Sequence, residues 1–491
     1  MRRRSHQYDR GHLGWQGMVF AFGTAMAAAV WAWTANAVDV LHGVRDLDGT
    51  PRWLDTSEPS ALELGGLDLR DVYTDALPAW GAAVANVNAP GGRALEAEAY
   101  ARFESSIREV DALVRVAPEM RMAALDPARH GEVLVDAVAA WNHATDEAGV
   151  PVWVHPWVRG DGVFYVKTYE VLEDDTVQVG DASYRARYVS RLDLLNVVEG
   201  RIGSVIDHEA GAIVLVDRLR VLVAEEVWPL LTLADASHPD RPPLARVFAE
   251  PIREAVQASL GERAFRALER TAPAREQIVR TVDVIRGRGA RCSRFRVKRV
   301  NWYGFAPDDL GLLWDFARRD SRMPCPSVRF DEVDRFRENF REIVSDAEAV
   351  DAAERLLGWA ARAVLVHEAR HAADDDREGA IGAWETCEAC PDTLQGATLH
   401  EASAYIASFA DPSTGVFAVY QACGVVRDSD GVHARAVREV LDAIEPGLCE
   451  HGPPEDLTAR AAALELSWFG RDASVRPRGG VPERLPLRTR R

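Results

Sequence analysis

Val364-Leu-Val-His-Glu-Ala-Arg-His-Ala-Ala-Asp374 carries two histidines four positions apart, His367 and His371, with Glu368 directly after the first. On an α-helix, residues i and i+4 share a face. The flanking sequence predicts that helix. Leu356, Ala360, Ala363, Val364, His367 and His371 fall on one helical stripe, and neither Gly nor Pro interrupts 359–378. Imidazoles so placed hold one Zn2+ at about 2.0–2.1 Å each. A glutamate beside the first is placed to take a proton from an attacking water. His367 and His371 are therefore expected as metal ligands and Glu368 as the catalytic base.

A catalytic zinc takes three protein ligands and keeps one position for water. The third is expected downstream. Glu401, in His400-Glu-Ala-Ser-Ala-Tyr405, lies 30 positions after His371. It sits in a second helical pattern of Leu394, Ala397, Leu399, Ala402, Tyr405, Ile406 and Phe409. Glu385, 14 positions after His371 in a loop-like segment, is the rival. Asp374 or Asp375 is expected to orient a ligand imidazole through its other nitrogen.

Outward from the motif, helical periodicity covers 244–259, 262–270, 273–286, 329–343, 347–374, 393–409, 432–443 and 456–468, with one strand over Arg294–Val300. His238-Pro-Asp-Arg-Pro-Pro243 reads as a domain boundary. Before it, Pro151 to Arg191 is strand-like, with turns at Gly160-Asp-Gly162 and Glu173-Asp-Asp175, and predicts two or three antiparallel strands. Helical pattern returns near Leu194 and after Gly211, and also covers 94–116. Gly65-Gly66, Pro78, Pro90 and Gly91-Gly92 punctuate residues 41–95, which read as a linker. The expected fold class is α+β. Residues 1–40 form a signal-anchor or signal peptide and 41–95 a linker. Residues 96–238 form an α+β domain with a small antiparallel β region, and 239–470 a mainly helical zinc-peptidase-like domain. Residues 471–491, with seven Arg and three Pro, form a disordered tail.

The 491 residues are 47% hydrophobic and 27% charged, which excludes a wholly disordered chain. A net charge of −18 argues against general nucleic-acid binding. The chain opens Met-Arg-Arg-Arg, and no charged residue stands from Gly11 to Val38, a run of 28. About 20 apolar residues cross a bilayer as one helix, and preceding basic residues keep the N-terminus in the cytoplasm. Residues 17–37 are therefore expected to anchor the protein in the membrane with the body outside the cytoplasm. Ala35-Asn-Ala37 also fits a signal-peptidase site, so export with cleavage near Ala37 is the alternative. Disulfides persist there, and the expected pairs are Cys292 with Cys325, Cys387 with Cys390, and Cys423 with Cys449. Trp153-Val-His155-Pro-Trp157 is expected in the core or at a strand edge, and Asp207-His208-Glu209 in a solvated turn. Asn301-Trp-Tyr-Gly-Phe305 is a candidate border of the cleft.

His367-Glu368-x-x-His371 followed by a helical Glu401 resembles the gluzincin type of zincin metallopeptidase, over about residues 356–409. The resemblance implies a Zn2+ cofactor held by His367, His371 and Glu401. It also implies a peptide or protein substrate, and water attack assisted by Glu368 without a covalent intermediate. Two departures stand out. The gap before the third ligand is longer than in thermolysin-like members, and Tyr405 rather than Asp follows Glu401 by one turn. The residue that stabilises the oxyanion is open among His400, Tyr405 and Arg370. Two other classes accommodate the motif: a membrane-tethered zincin-like protein that binds without turnover, and a zinc hydrolase of a non-peptide amide. Glu368 favours an enzyme, because a site that only binds has no need of it.

Overall fold

The computed structural model describes residues 62–64, 67–126, 132–158, 164–193, 203–205, 211–232, 243–291, 317–318, 325–326, 328–378, 387–428 and 430–487. They belong to one compact unit, Pro59–Arg491. The architecture is α+β: mostly helices around a small mixed sheet in the middle of the chain. A short hairpin, β1 (Glu63–Leu64) and β2 (Leu67–Asp68), precedes α1 (Leu77–Val84), α2 (Gly92–Ser106), α3 (Asp111–Leu125) and α4 (Glu132–Glu147). The sheet strands are β3 (Val152–Val158), β4 (Phe164–Val179), β5 (Ala182–Arg191), β6 (Gly203–Val205) and β7 (Ala212–Leu215), in spatial order β3-β4-β5-β7-β6. The first three pair antiparallel and β5 pairs parallel with β7. Successive residues of a strand point to opposite faces. Val152 and Val154 accordingly pack with Trp80, Phe103 and Trp141 under α1–α4. Trp153 packs on the other face with Tyr169, Val189, Ile213 and Leu215, as core rather than as a groove.

Helices follow as α5 (Val216–Leu222), α6 (Trp228–Thr232), α7 (Pro243–Leu260), α8 (Glu262–Arg270), α9 (Ala272–Arg291) and α10 (Phe330–Ser345). The series continues with α11 (Ala347–Glu378), α12 (Ala397–Phe409), α13 (Gly415–Asp428), α14 (Val432–Ile444), α15 (Leu448–His451) and α16 (Leu457–Phe469). The motif helix α11 packs against β5, β6 and β7 and against α7, α8 and α12. Its Ala352, Leu356, Ala360, Ala361, Leu365, Ala369 and Ala372 are all buried. A helix apolar on so many sides belongs inside a protein.

Several expectations are corrected. Residues 62–95 are not linker: Pro78 stands in the first turn of α1, where its missing N–H is harmless. Gly81 lets that helix approach β4, since a Cβ there would meet Val166 at 3.0 Å. Glu173-Asp-Asp175 is no turn. β4 runs through it with a bulge between Val171 and Glu173, and Asp174 pairs across the strands with Arg185 Nε at 2.8 Å. Ala212–Leu215 is strand, and the helix starts only at Val216. The break near 238 separates no domains, because Val177, Tyr188, Trp228, Phe248, Leu356 and Leu487 share one core. The strand predicted over Arg294–Val300 lies outside the described residues.

The tail is ordered to Leu487. β8 (Arg478–Gly479) pairs with β4, and the Tyr188 hydroxyl donates to the Gly480 carbonyl at 2.7 Å. Beyond it the chain runs against α11, where the Leu485 N–H donates to the Glu354 carbonyl at 3.1 Å. Gly358 leaves room for this strap, since a Cβ there would lie 2.7 Å from the Pro482 carbonyl oxygen. Residues 17–37 lie outside the described residues, among which no helix is long and apolar enough to cross a membrane.

Candidate metal centre

Two helices supply the donors. α11 brings His367 and His371 one turn apart, and α12 runs beside it carrying Glu401. Ala402, Ser403, Ala404 and Ala407 are buried along α12, and side chains this small let helices approach closely. A buried tie fixes the pair. The Ser403 hydroxyl donates to Asp374 Oδ2 at 2.6 Å, and Arg471 donates to both Ser403 Oγ and Asp374 Oδ1 at 2.7 Å.

The three donor atoms converge. His367 Nε2 and His371 Nε2 are 3.1 Å apart, and Glu401 Oε2 lies 3.4 Å from the first and 3.6 Å from the second. Donors bound at 2.0–2.1 Å in a tetrahedron stand about 3.3 Å from one another. The observed triangle therefore matches one face of such a tetrahedron. Two ring nitrogens and a carboxylate facing one point could hold a metal ion. Among the described residues, these three form the group whose donors all lie within 4.8 Å of one another.

The electrostatics agree. Burial pushes the Glu401 carboxyl towards its neutral form, but the neighbouring imidazoles of His367, His371 and His433 overcome this and hold it far below the usual carboxylate range. Burial lowers His371 to about 4, against the smaller upward pull of Glu401. At neutral pH His371 therefore keeps the lone pair that a metal ligand needs. Burial raises the Tyr405 hydroxyl, with Glu401 and Glu368 adding to it, so that it stays protonated. Its ring lies edge-on to His367, with centroids 4.8 Å apart.

Glu368 is buried on α11 beside the edge strand β6. Gly203 passes so close that a Cβ there would lie 2.5 Å from Glu368 Oε1 and 2.7 Å from Val364 Cγ1. The expected orienting role of Asp374 and Asp375 is corrected. Asp374 bonds to Ser403 and Arg471, and Asp375 faces His400 Nε2 at 3.1 Å. His371 Nδ1 is buried without a hydrogen-bond partner. His400 instead stacks on the His371 ring at 4.3 Å. Arg370 points away from the donors, giving hydrogen bonds to Glu465 at 2.9 Å and to the Val475 carbonyl at 2.8 Å. Of the three oxyanion candidates, Tyr405 alone is left beside the donors without a competing carboxylate partner. Glu385, Asp207-His208-Glu209 and Asn301–Phe305 lie outside the described residues.

His433 was not legible in the sequence. From α14 it places Nδ1 2.9 Å from Glu401 Oε2 and 3.4 Å from the Tyr405 hydroxyl. Cys387 pairs with Cys390, and Cys423 with Cys449, with Cα–Cα distances of 5.2 and 5.6 Å. Cys325 is also disulfide-bonded; Cys292 lies outside the described residues. No family model, curated protein or solved structure matches the chain.

Proposed function

We propose that this chain is a zinc-dependent metallopeptidase that cleaves peptide bonds with water. The observation that carries the reading is the donor triangle of His367, His371 and Glu401, at tetrahedral spacing, with Glu368 on the same helix. A zinc ion held there supplies Lewis acidity, which lowers the pKa of water and polarises a carbonyl. Glu368 takes the proton of the attacking water and hands it to the leaving amine. The Tyr405 hydroxyl, kept protonated by burial, is assigned as donor to the developing oxyanion.

The sheet supports a peptide substrate. Among the described residues β6 pairs with β7 alone, at the end of the strand order and against α11. A strand at the end of a sheet is the kind of element that takes an extended peptide through main-chain hydrogen bonds. The disulfides support a body outside the cytoplasm, held by residues 17–37 or released after Ala37. The test is Glu368→Gln assayed on casein. It is expected to keep zinc and to lose about 10²–10⁴ in turnover. Unchanged turnover would refute the mechanism, and zinc binding without any cleavage by the wild type would favour a site that only binds.

A further inference from the structure

We propose that His433 is a positioning residue for the metal ligand Glu401, holding its carboxylate through the close polar contact of Nδ1 with Oε2. This rests on the zinc reading of the site. Three imidazoles approach that one oxygen. His367 and His371 stand 3.4 and 3.6 Å away, the separation of two atoms sharing a metal, whereas His433 Nδ1 stands closer, at 2.9 Å. His433 does not belong to the group of donors lying within 4.8 Å of one another. It therefore reaches Oε2 from the flank, outside the metal position.

The fold delivers this ring rigidly. His433 is the second residue of α14, and α14 docks on α12 while burying Ala434, Ala436, Val437, Val440 and Leu441. Tyr405, one turn after Glu401, stands edge-on to the His433 ring with centroids 6.3 Å apart, which limits its rotation. The pair thus occupies the place beside the third ligand where an acidic partner was absent from the sequence. The His433 side chain is 57% exposed, so its removal leaves the core intact.

The test is zinc affinity by chelator competition in the wild type, His433→Ala and His433→Asn, with thermal unfolding of the zinc-free forms. His433→Ala is expected to bind zinc about 10–100-fold more weakly while unfolding near the wild-type temperature. His433→Asn, whose amide nitrogen takes the place of Nδ1, is expected to recover most of the loss. Wild-type affinity in His433→Ala would overturn the proposal and leave the zinc site standing. A His433→Asn protein as weak as His433→Ala would overturn the polar contact as the cause. A cobalt-substituted His433→Ala spectrum showing one donor fewer would make His433 a ligand and overturn the positioning role. Wild-type protein without zinc affinity would overturn the metal reading and this proposal with it.

Discussion

Gly203→Ala tests whether the edge strand and the base are as close as the site requires. The new Cβ would stand 2.5 Å from Glu368 Oε1, 2.7 Å from Glu368 Cγ and 2.7 Å from Val364 Cγ1, where ordinary contact begins at 3.4 Å. Rotating the carboxylate alone relieves only the first clash. The Cγ contact forces the whole Glu368 side chain, or strand β6, to withdraw by about 1 Å. A displacement of about 1 Å costs a well-placed catalytic group on the order of 100-fold in rate. Overpacking of this size lowers stability by roughly 1–3 kcal/mol. None of the clashing atoms belongs to His367, His371 or Glu401, so zinc binding is expected to survive. The assay is kcat on casein beside zinc content and the unfolding midpoint. A Gly203→Ala protein with zinc and wild-type kcat would refute the placement of Glu368 against β6.

Stability of the zinc-free protein is expected to fall as pH drops through the window from 6.5 to about 4, where burial has lowered His371. In that window the unfolded chain takes up the proton and the folded one does not, so acid favours unfolding, by about 3 kcal/mol in all. Urea midpoints at pH 7.5, 5.5 and 4.5 check this, and a flat profile would contradict it. Arg471→Leu is expected to destabilise by about 3 kcal/mol, because it takes the closer cation from buried Asp374 and leaves only Arg370, at 4.0 Å. It is also expected to weaken zinc binding by loosening α11 from α12. Denaturant unfolding and chelator competition measure both, and an unchanged zinc affinity would remove the tie from the account of the site.

Sequence reading reached the donors because each lies in a segment whose period is visible locally. His367 and His371 share a helical stripe, and Glu401 stands in its own helical pattern. The strand-like character of 152–191 was visible for the same reason, but its second turn lies at Gly180-Asp181 and not at Glu173-Asp-Asp175. What escaped it depends on contacts between distant segments. His433 faces Glu401 only because α14 docks on α12, and nothing in its neighbourhood marks it. Gly203 matters through one close approach to Glu368. Pro78 and Gly91-Gly92 were misread as linker because Pro78 stands in the first turn of one helix and Gly92 begins the next. The tail was misread because an extended strap has no helical period. Its arginines look solvated by composition, yet Arg471 is 4% exposed against Asp374.

The most direct test of the metal centre is the zinc content of the full protein after dialysis, for the wild type and for His367→Ala, with casein cleavage followed before and after a chelator. One equivalent of zinc in the wild type, most of it lost in His367→Ala, and cleavage abolished by the chelator and restored by zinc is the result predicted by the triangle of His367, His371 and Glu401. Equal zinc in the two proteins, or cleavage indifferent to the chelator, would contradict it.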